Sequence, residues 1–379
     1  MQASEGSVLR RLYVDNFRSL VNFELKLGQI NLLMGGNGSG KSSVFAALAA
    51  LRRIVQGERV AEVLAPASCT RWQTRPMQVF ELDIDGNGTS FRYHLEAVHR
   101  GGRVQIQREV LTVMVDGGGV EAVVYDRHGD KAMLLTPGPK DFEALLVDVE
   151  RSALSLVIGR PGNEHAAEFV ARIRRVYMLT INPAAMRGWS EGEDATPAAD
   201  LANFASWYRH LIQDRGPEMD EAREALRGVL DGFLGLRLRD SGHHEAGRKL
   251  VSEWKLGEGT RTSFDFAELS DGQRALIGLY TLLYAHGEDD TTIGVDEPDN
   301  FVALPEIQPW LGALSERPTL QTLLISHHPE VLNMHAQETG LVFRRDDNGP
   351  TRVERFAAAG DEDLSPAELV ARGWYRGAP

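Results

Sequence analysis

Gly35-Gly36-Asn37-Gly38-Ser39-Gly40-Lys41-Ser42 decides how this chain folds. The stretch satisfies G-x-x-x-x-G-K-[ST] in full. A short apolar run, Ile30–Met34, stands before it, and the alanine-rich stretch Ser43–Val55 follows with apolar residues at helical spacing. Strand, glycine turn, helix is the order that turns successive backbone N–H groups toward a phosphate, with the positive helix end behind them. Gly35, Asn37, Gly38, Ser39, Gly40, Lys41, Ser42 and Ser43 are therefore the expected cradle of a nucleoside triphosphate. Lys41 is expected at the β- and γ-phosphates, and the Ser42 hydroxyl on Mg2+.

Outward from that loop, the elements alternate in type. Val8–Val14 and Phe23–Leu27 read as strands before the loop, and Val79–Ile84, Ser90–Val98, Val104–Val115 and Val120–Tyr125 as strands after it. Asp85-Gly86-Asn87-Gly88 and Arg100-Gly101-Gly102 are hairpin turns in this reading. Asp141–Ile158, Glu164–Arg174, Ala198–Asp214 and Pro217–Gly232 read as helices, with Gly159, Pro161 and Gly162 breaking the first pair. Leu234–Leu238 and Lys249–Leu256 return to a strand pattern. Thr291–Val295 and Leu320–Ile325 are apolar strands around a helix near Pro305–Leu314, a spacing that predicts adjacent parallel strands.

Composition narrows the class. With 42% hydrophobic and 25% charged residues, the 379-residue chain is an ordinary globular sequence. It contains no apolar run of about eighteen residues that would span a bilayer, so no membrane partner is expected. Its first residues lack the apolar core of a secretory signal. The single cysteine, Cys69, excludes an internal disulfide framework and fits a reducing, cytoplasmic location. Nucleic acid stays open as a partner, but a net charge of −13 does not support it, since duplex binding relies on Lys and Arg neutralising phosphates.

A phosphate loop alone does not separate an ATPase from a GTPase or a kinase. Ile293-Gly294-Val295-Asp296-Glu297-Pro298 adds an apolar strand that ends in two acids. Asp296 is placed to hold Mg2+, directly or through water, and Glu297, one residue on, to polarise an attacking water as general base. Leu269-Ser270-Asp271-Gly272-Gln273 opens an apolar helix, and Ser270 alone is a sufficient N-cap for it. The stretch also resembles the LSGGQ signature of ABC ATPases, with Asp271 in place of the first glycine, as in RecF-like heads. Ile325-Ser326-His327-His328-Pro329-Glu330 looks like the switch-histidine motif of the same superfamily, and His327 matches the switch position better than His328. Asn16-Phe17-Arg18 is similar to the start of RecF-like and chromosome-maintenance heads, where the arginine lies near nucleotide. Asp299-Asn300 stands where those proteins carry their D-loop. Gln73 and Gln78 compete for the Q-loop position, and Gln78 is preferred as a third Mg2+-site residue.

The resemblance implies an α/β fold: a P-loop NTPase of ABC type, with a mixed core sheet, an antiparallel β subdomain and a helical insertion. The implied division is an N-terminal ATP-binding lobe over 1–140, a helical lobe over 141–262, the second half of the ATPase core over 263–358 and a tail over 359–379. It further implies ATP and Mg2+ as cofactors, with catalysis by Lys41, Glu297 and His327. Ser270, Gly272 and Gln273 would face the γ-phosphate held by a second copy, in a homodimer closed around two ATP molecules. The soluble bacterial group most similar to this pattern includes the ATPase halves of OLD proteins and of Septu- and retron-associated defence systems. A regulatory ATPase, possessing slow hydrolysis and controlling a separate nuclease or toxin, is the function so implied. A DNA-maintenance ATPase of RecF type is the alternative. The residues after His327 are expected to be too few for a Toprim nuclease, and Asp240…Glu253-Trp254-Lys255 reads as part of an alternating strand rather than as a nuclease site. His243-His244-Glu245 reads as a solvated turn.

Overall fold

A computed structural model describes residues 9–85, 88–115, 119–135, 142–156, 162–240, 247–257, 259–286, 290–357 and 364–372. His243-His244-Glu245, the tip of the Asp85-Gly86-Asn87-Gly88 turn, and Gly159 and Pro161 lie outside them. In chain order the strands are β1 (Leu9–Asp15), β2 (Phe23–Lys26), β3 (Ile30–Met34), β4 (Met77–Asp85), β5 (Ser90–Arg100), β6 (Arg103–Met114), β7 (Val120–His128), β8 (Lys131–Leu135), β9 (Phe142–Leu146), β10 (Val176–Thr180), β11 (Trp189–Ser190), β12 (Phe233–Asp240), β13 (Arg248–Leu256), β14 (Thr260–Asp265), β15 (Thr291–Asp296), β16 (Leu320–Ile325), β17 (Gly340–Arg345) and β18 (Thr351–Arg355). The helices are α1 (Lys41–Val55), α2 (Val60–Val63), α3 (Glu164–Arg174), α4 (Phe204–Asp214), α5 (Gly216–Val229), α6 (Asp271–His286), α7 (Leu304–Ser315), α8 (Pro329–Thr339) and α9 (Pro366–Arg372).

Three sheets organise them. The core sheet runs β10-β15-β16-β3-β17-β18, parallel except for the last strand. Parallel strands covered on both faces read as continuous apolar runs rather than as alternation. β3 obeys this: Leu33 packs into one core, while Leu32 and Met34 pack into the other. β16 does the same, with Leu323 and Ile325 on the first side and Leu320 and Leu324 on the second. The first core lies between this sheet, α1, α3 and an eight-stranded antiparallel sheet, β2-β1-β4-β5-β6-β7-β8-β9. The second holds α4, α5, α6, α7 and α8. A smaller sheet, β11-β13-β12 with β14 on β13, precedes α6.

One buried polar side chain joins the two large sheets. Gln321, fully buried on β16, donates to the Leu9 and Gly28 carbonyls at 2.7 and 2.8 Å and accepts from the Leu9 N–H and the Thr292 hydroxyl at 2.9 Å each. A buried amide is tolerable only with its hydrogen bonds made, so its position fixes how β1 sits on the core.

The α/β architecture, with its mixed core sheet and antiparallel β layer, is the one expected. Two local expectations are corrected. Among the described residues, 142–156, the helix expected over Asp141–Ile158 is not formed: Phe142–Leu146 is an edge strand on β8, and Ala153–Leu156 is one 3-10 turn. The residues over 141–262 also contribute β10 to the core sheet and β11, β12 and β13 to the small sheet, so they are mixed rather than helical. Helix propensity of a sequence such as Phe142-Glu143-Ala144-Leu145-Leu146 gives way where a neighbouring strand offers unpaired backbone groups.

Candidate nucleotide site

β3 delivers the chain to the loop, and α1 begins at Lys41. Two glycines make the turn. Gly35 has φ +135°, and a Cβ there would strike the Phe343 carbonyl of β17; Gly40 has φ +108°, and a Cβ would meet the Thr351 hydroxyl of β18. Only glycine takes both the dihedral and the close approach. Gly35→Ala is therefore expected to destabilise the fold by about 2 kcal/mol or more, read as a lowered Tm in thermal unfolding. No side chain caps α1, and its first turn carries no acid. Its positive end is left for an anion.

The parallel strands β15 and β16 bring the remaining groups to the same end of the sheet. The Ser42 hydroxyl donates to Asp296 Oδ2 at 3.2 Å, and Lys41 Nζ donates to the Gly35 and Gly36 carbonyls at 2.6 and 3.1 Å. Burial lowers the Lys41 pKa against the opposing pull of Asp296 and Glu297. Burial also raises the Asp296 pKa, with the Ser42 hydrogen bond acting against it. Both charges are held at a cost that phosphate and a divalent cation would relieve.

Glu297 has φ +51°, uncommon for a residue with a side chain, and is fixed there by its N–H donating to the Ile325 carbonyl at 2.8 Å. The Asn300 amide donates to its carboxylate. His327 Nε2 lies 4.0 Å from Glu297 Oε1, both side chains being partly exposed. Burial, and then the Lys41 charge, hold the His327 pKa below its ordinary value. His328 is placed elsewhere: its Nδ1 accepts from the Glu330 N–H and caps α8.

These groups line a cleft of about 560 Å³ that takes in Asn37 to Ser43, Asp296, Glu297 and His327, with Arg18 and Ser19 on one side. Arg18 has φ +51°, and its N–H donates to the Ser68 carbonyl at 2.6 Å. Trp72, Arg71, Cys69, Thr180 and Arg345 line the same cleft and had no motif to announce them. Arg345 donates to the Gly38 carbonyl at 3.2 Å, and its guanidinium stands 5.5 Å from the Trp72 ring centroid.

Gln78 does not belong to this site. It is fully buried, donates to the Asn16 carbonyl at 3.0 Å and the Ser68 hydroxyl at 3.2 Å, and shares a 2.8 Å hydrogen bond with His99. Its amide holds the segment that carries Arg18, and no part of it reaches the cleft; Gln73 does not line the cleft either. Ser42 and Asp296 would hold Mg2+, a hydroxyl and one carboxylate being the sparse protein donor set that this cation takes alongside substrate phosphates and water.

Ser270, Gly272 and Gln273 also lie outside the cleft. The Ser270 hydroxyl accepts from the Gln273 N–H at 3.3 Å, and Gln273 Oε1 accepts from the Ser270 N–H at 3.0 Å. That reciprocal pair is a capping box, and it commits the Gln273 amide to the helix end. A Cβ at Gly272 would stand 2.7 Å from the Phe301 carbonyl, so the start of α6 abuts the turn that follows Glu297. Asp240 and Glu253 are not brought together: Asp240 pairs with Arg248 and Glu253 with Arg237.

Two stretches of the chain match known families. Residues 171–333 match the family described as "AAA domain, putative AbiEii toxin, Type IV TA system", and residues 11–51 match a family described as "AAA domain". No curated protein sequence matches the chain. Among solved structures, it is similar to the SMC head in a crystal structure of that head bound to the C-terminal winged-helix domain of ScpA, with a TM-score of 0.53, 11% identity, and 92% of this chain and 98% of that chain covered. The SMC head domain of Thermotoga maritima matches with a TM-score of 0.47 and 14% identity over 92% of this chain and 99% of that one. The fold resembles that of an SMC head, and the AAA-domain matches fall on residues 11–51, which carry the phosphate loop, and on residues 171–333, which carry Asp296, Glu297 and His327.

Proposed function

We propose that this chain binds ATP with Mg2+ and hydrolyses it slowly, in an ABC-type homodimer closed around two nucleotides, as the regulatory subunit of a defence or toxin-type system that controls a separate nuclease or toxin. The observation that carries the ATPase part is the convergence of Lys41, Ser42, Asp296, Glu297 and His327 on one cleft at the carboxyl end of β15 and β16. In this reading Mg2+ on Ser42 and Asp296 supplies charge neutralisation at the phosphates. Lys41 exchanges its two loop carbonyls for phosphate oxygens. Glu297 takes the proton from an attacking water, and His327 beside it orients that water against the γ-phosphate.

The dimer rests on incompleteness. Ser270 and Gly272 stand at the start of α6, and a helix N-terminus suits an anion, yet they do not line the cleft of their own subunit. A second copy related by a two-fold axis brings each signature helix onto the other's γ-phosphate. Ser270→Arg places a bulky cation there while removing a cap worth about 1 kcal/mol. Its expected result is ATP binding within a few-fold of the parent, loss of ATP-dependent dimer and of phosphate release, and a Tm only slightly lowered. Unchanged phosphate release would mean that hydrolysis takes place within one subunit.

The regulatory role draws on the toxin-type name of the family matched over 171–333. Capture of a nuclease or toxin by the tagged protein from native lysate tests it, and the partner should depend on the nucleotide state. The DNA-maintenance reading has one observation in its favour: Arg237, Arg239, Lys249, Lys255 and Arg261 stand on one face of the β12-β13-β14 sheet, although Glu253 and Asp265 pair with three of them. ATP-dependent duplex binding that weakens steeply with salt would favour it over the first.

A further inference from the structure

The phosphate loop accounts for a triphosphate and leaves the base without a partner. Among the cleft residues, Trp72 has the largest flat apolar surface, and it is 48% exposed. A tryptophan left half in water is unusual unless something covers it, since the ring is among the costliest apolar surfaces to leave wet. Its place is fixed from the opposite end of the chain. Arg345, at the end of β17, reaches across to the ring at 5.5 Å, while its guanidinium holds the Gly38 carbonyl of the phosphate loop at 3.2 Å and the Gly349 carbonyl of its own hairpin at 2.7 Å. One arginine thus ties the ring to the loop that grips the phosphates.

Building on the proposed ATP site, we infer that Trp72 is the stacking platform for the nucleotide base, held in register with the phosphate loop by Arg345. The ligand class follows from the chemistry of the platform. An indole face and a guanidinium recognise π-surface and its polarisability, not a particular donor and acceptor pattern. The platform therefore favours purines over pyrimidines through stacking area, and leaves adenine and guanine little separated. The phosphate loop provides the affinity that all four triphosphates share; Trp72 provides the part that depends on the base.

The test measures binding of ATP, CTP and inorganic tripolyphosphate to the full chain and to Trp72→Ala and Trp72→Phe. The expected result is that Trp72→Ala weakens ATP roughly ten- to hundred-fold, brings the ATP-to-CTP ratio close to one, and leaves tripolyphosphate binding unchanged. Trp72→Phe, which keeps a smaller ring, should recover much of the ATP affinity. Equal loss of ATP and tripolyphosphate in Trp72→Ala would overturn the inference, because the ring would then only be supporting the loop; so would an unchanged ATP affinity. A parent protein that binds tripolyphosphate as tightly as ATP would remove the base site and leave the phosphate-loop reading standing. One that binds neither would remove both.

Discussion

Lys41→Ala is expected to abolish turnover and to weaken ATP binding roughly a hundred-fold or more, since each charge-assisted hydrogen bond to phosphate contributes about 1.5–3 kcal/mol. The side chain is buried by the loop around it and points its ammonium at the Gly35 and Gly36 carbonyls. With nucleotide bound, those carbonyls are exchanged for phosphate oxygens in a site where burial has already lowered the lysine pKa. The cost of desolvating that charge is met when the protein folds, so its attraction to phosphate is felt nearly in full on binding. Equilibrium binding of ATP, phosphate release and circular dichroism on the same preparation separate this outcome from unfolding. Normal hydrolysis by Lys41→Ala would show that the phosphate loop is not where the chemistry occurs.

Glu297→Gln separates binding from chemistry. The amide matches the carboxylate in shape, so it can still accept from Asn300 and leave the turn after β15 in place. It cannot take a proton from water. Hydrolysis should fall by about 10²–10⁴-fold, the usual worth of a positioned general base, while the affinity for ATP stays within a few-fold of the parent. Because the cradle remains and the bond is not cut, ATP should accumulate in the closed assembly. Sedimentation at saturating ATP is then expected to show a dimer for this variant and a mixture for the parent. A monomer under those conditions would contradict the closed two-fold arrangement while leaving Glu297 as the base.

Glu297 owes its position to a backbone bond to Ile325 on the next strand and to Asn300 three residues on. The same short turn reaches Gly272 through the Phe301 carbonyl. The proposed base and the start of α6 are thus neighbours through one turn.

The turn of the phosphate loop was legible in the sequence because it depends on residues that are neighbours in the chain. Gly35 to Ser42 impose the turn, the apolar runs on either side impose strand and helix, and Asp296-Glu297 ends an apolar strand that has few other ways to pack. Ser270 could be read as a helix cap for the same reason. Tertiary structure alone decided the rest. Gln78 has the composition of a cleft residue, but the β4–β5 pairing turns its amide inward to His99, Asn16 and Ser68. Phe142–Leu146 has the composition of a helix, but β8 offers it an open edge. Val176–Thr180 becomes a core strand only because Thr292 to Asp296 lie beside it. Trp72 and Arg345 carry no signal in their own neighbourhoods; their contact exists because β17 and β18 fold against the phosphate loop, where Phe343 and Thr351 leave room for glycine and nothing larger. Local sequence sets a backbone turn by steric exclusion within a few residues, whereas a side chain's partner across the chain is set by how the sheets stack, and that depends on every strand together.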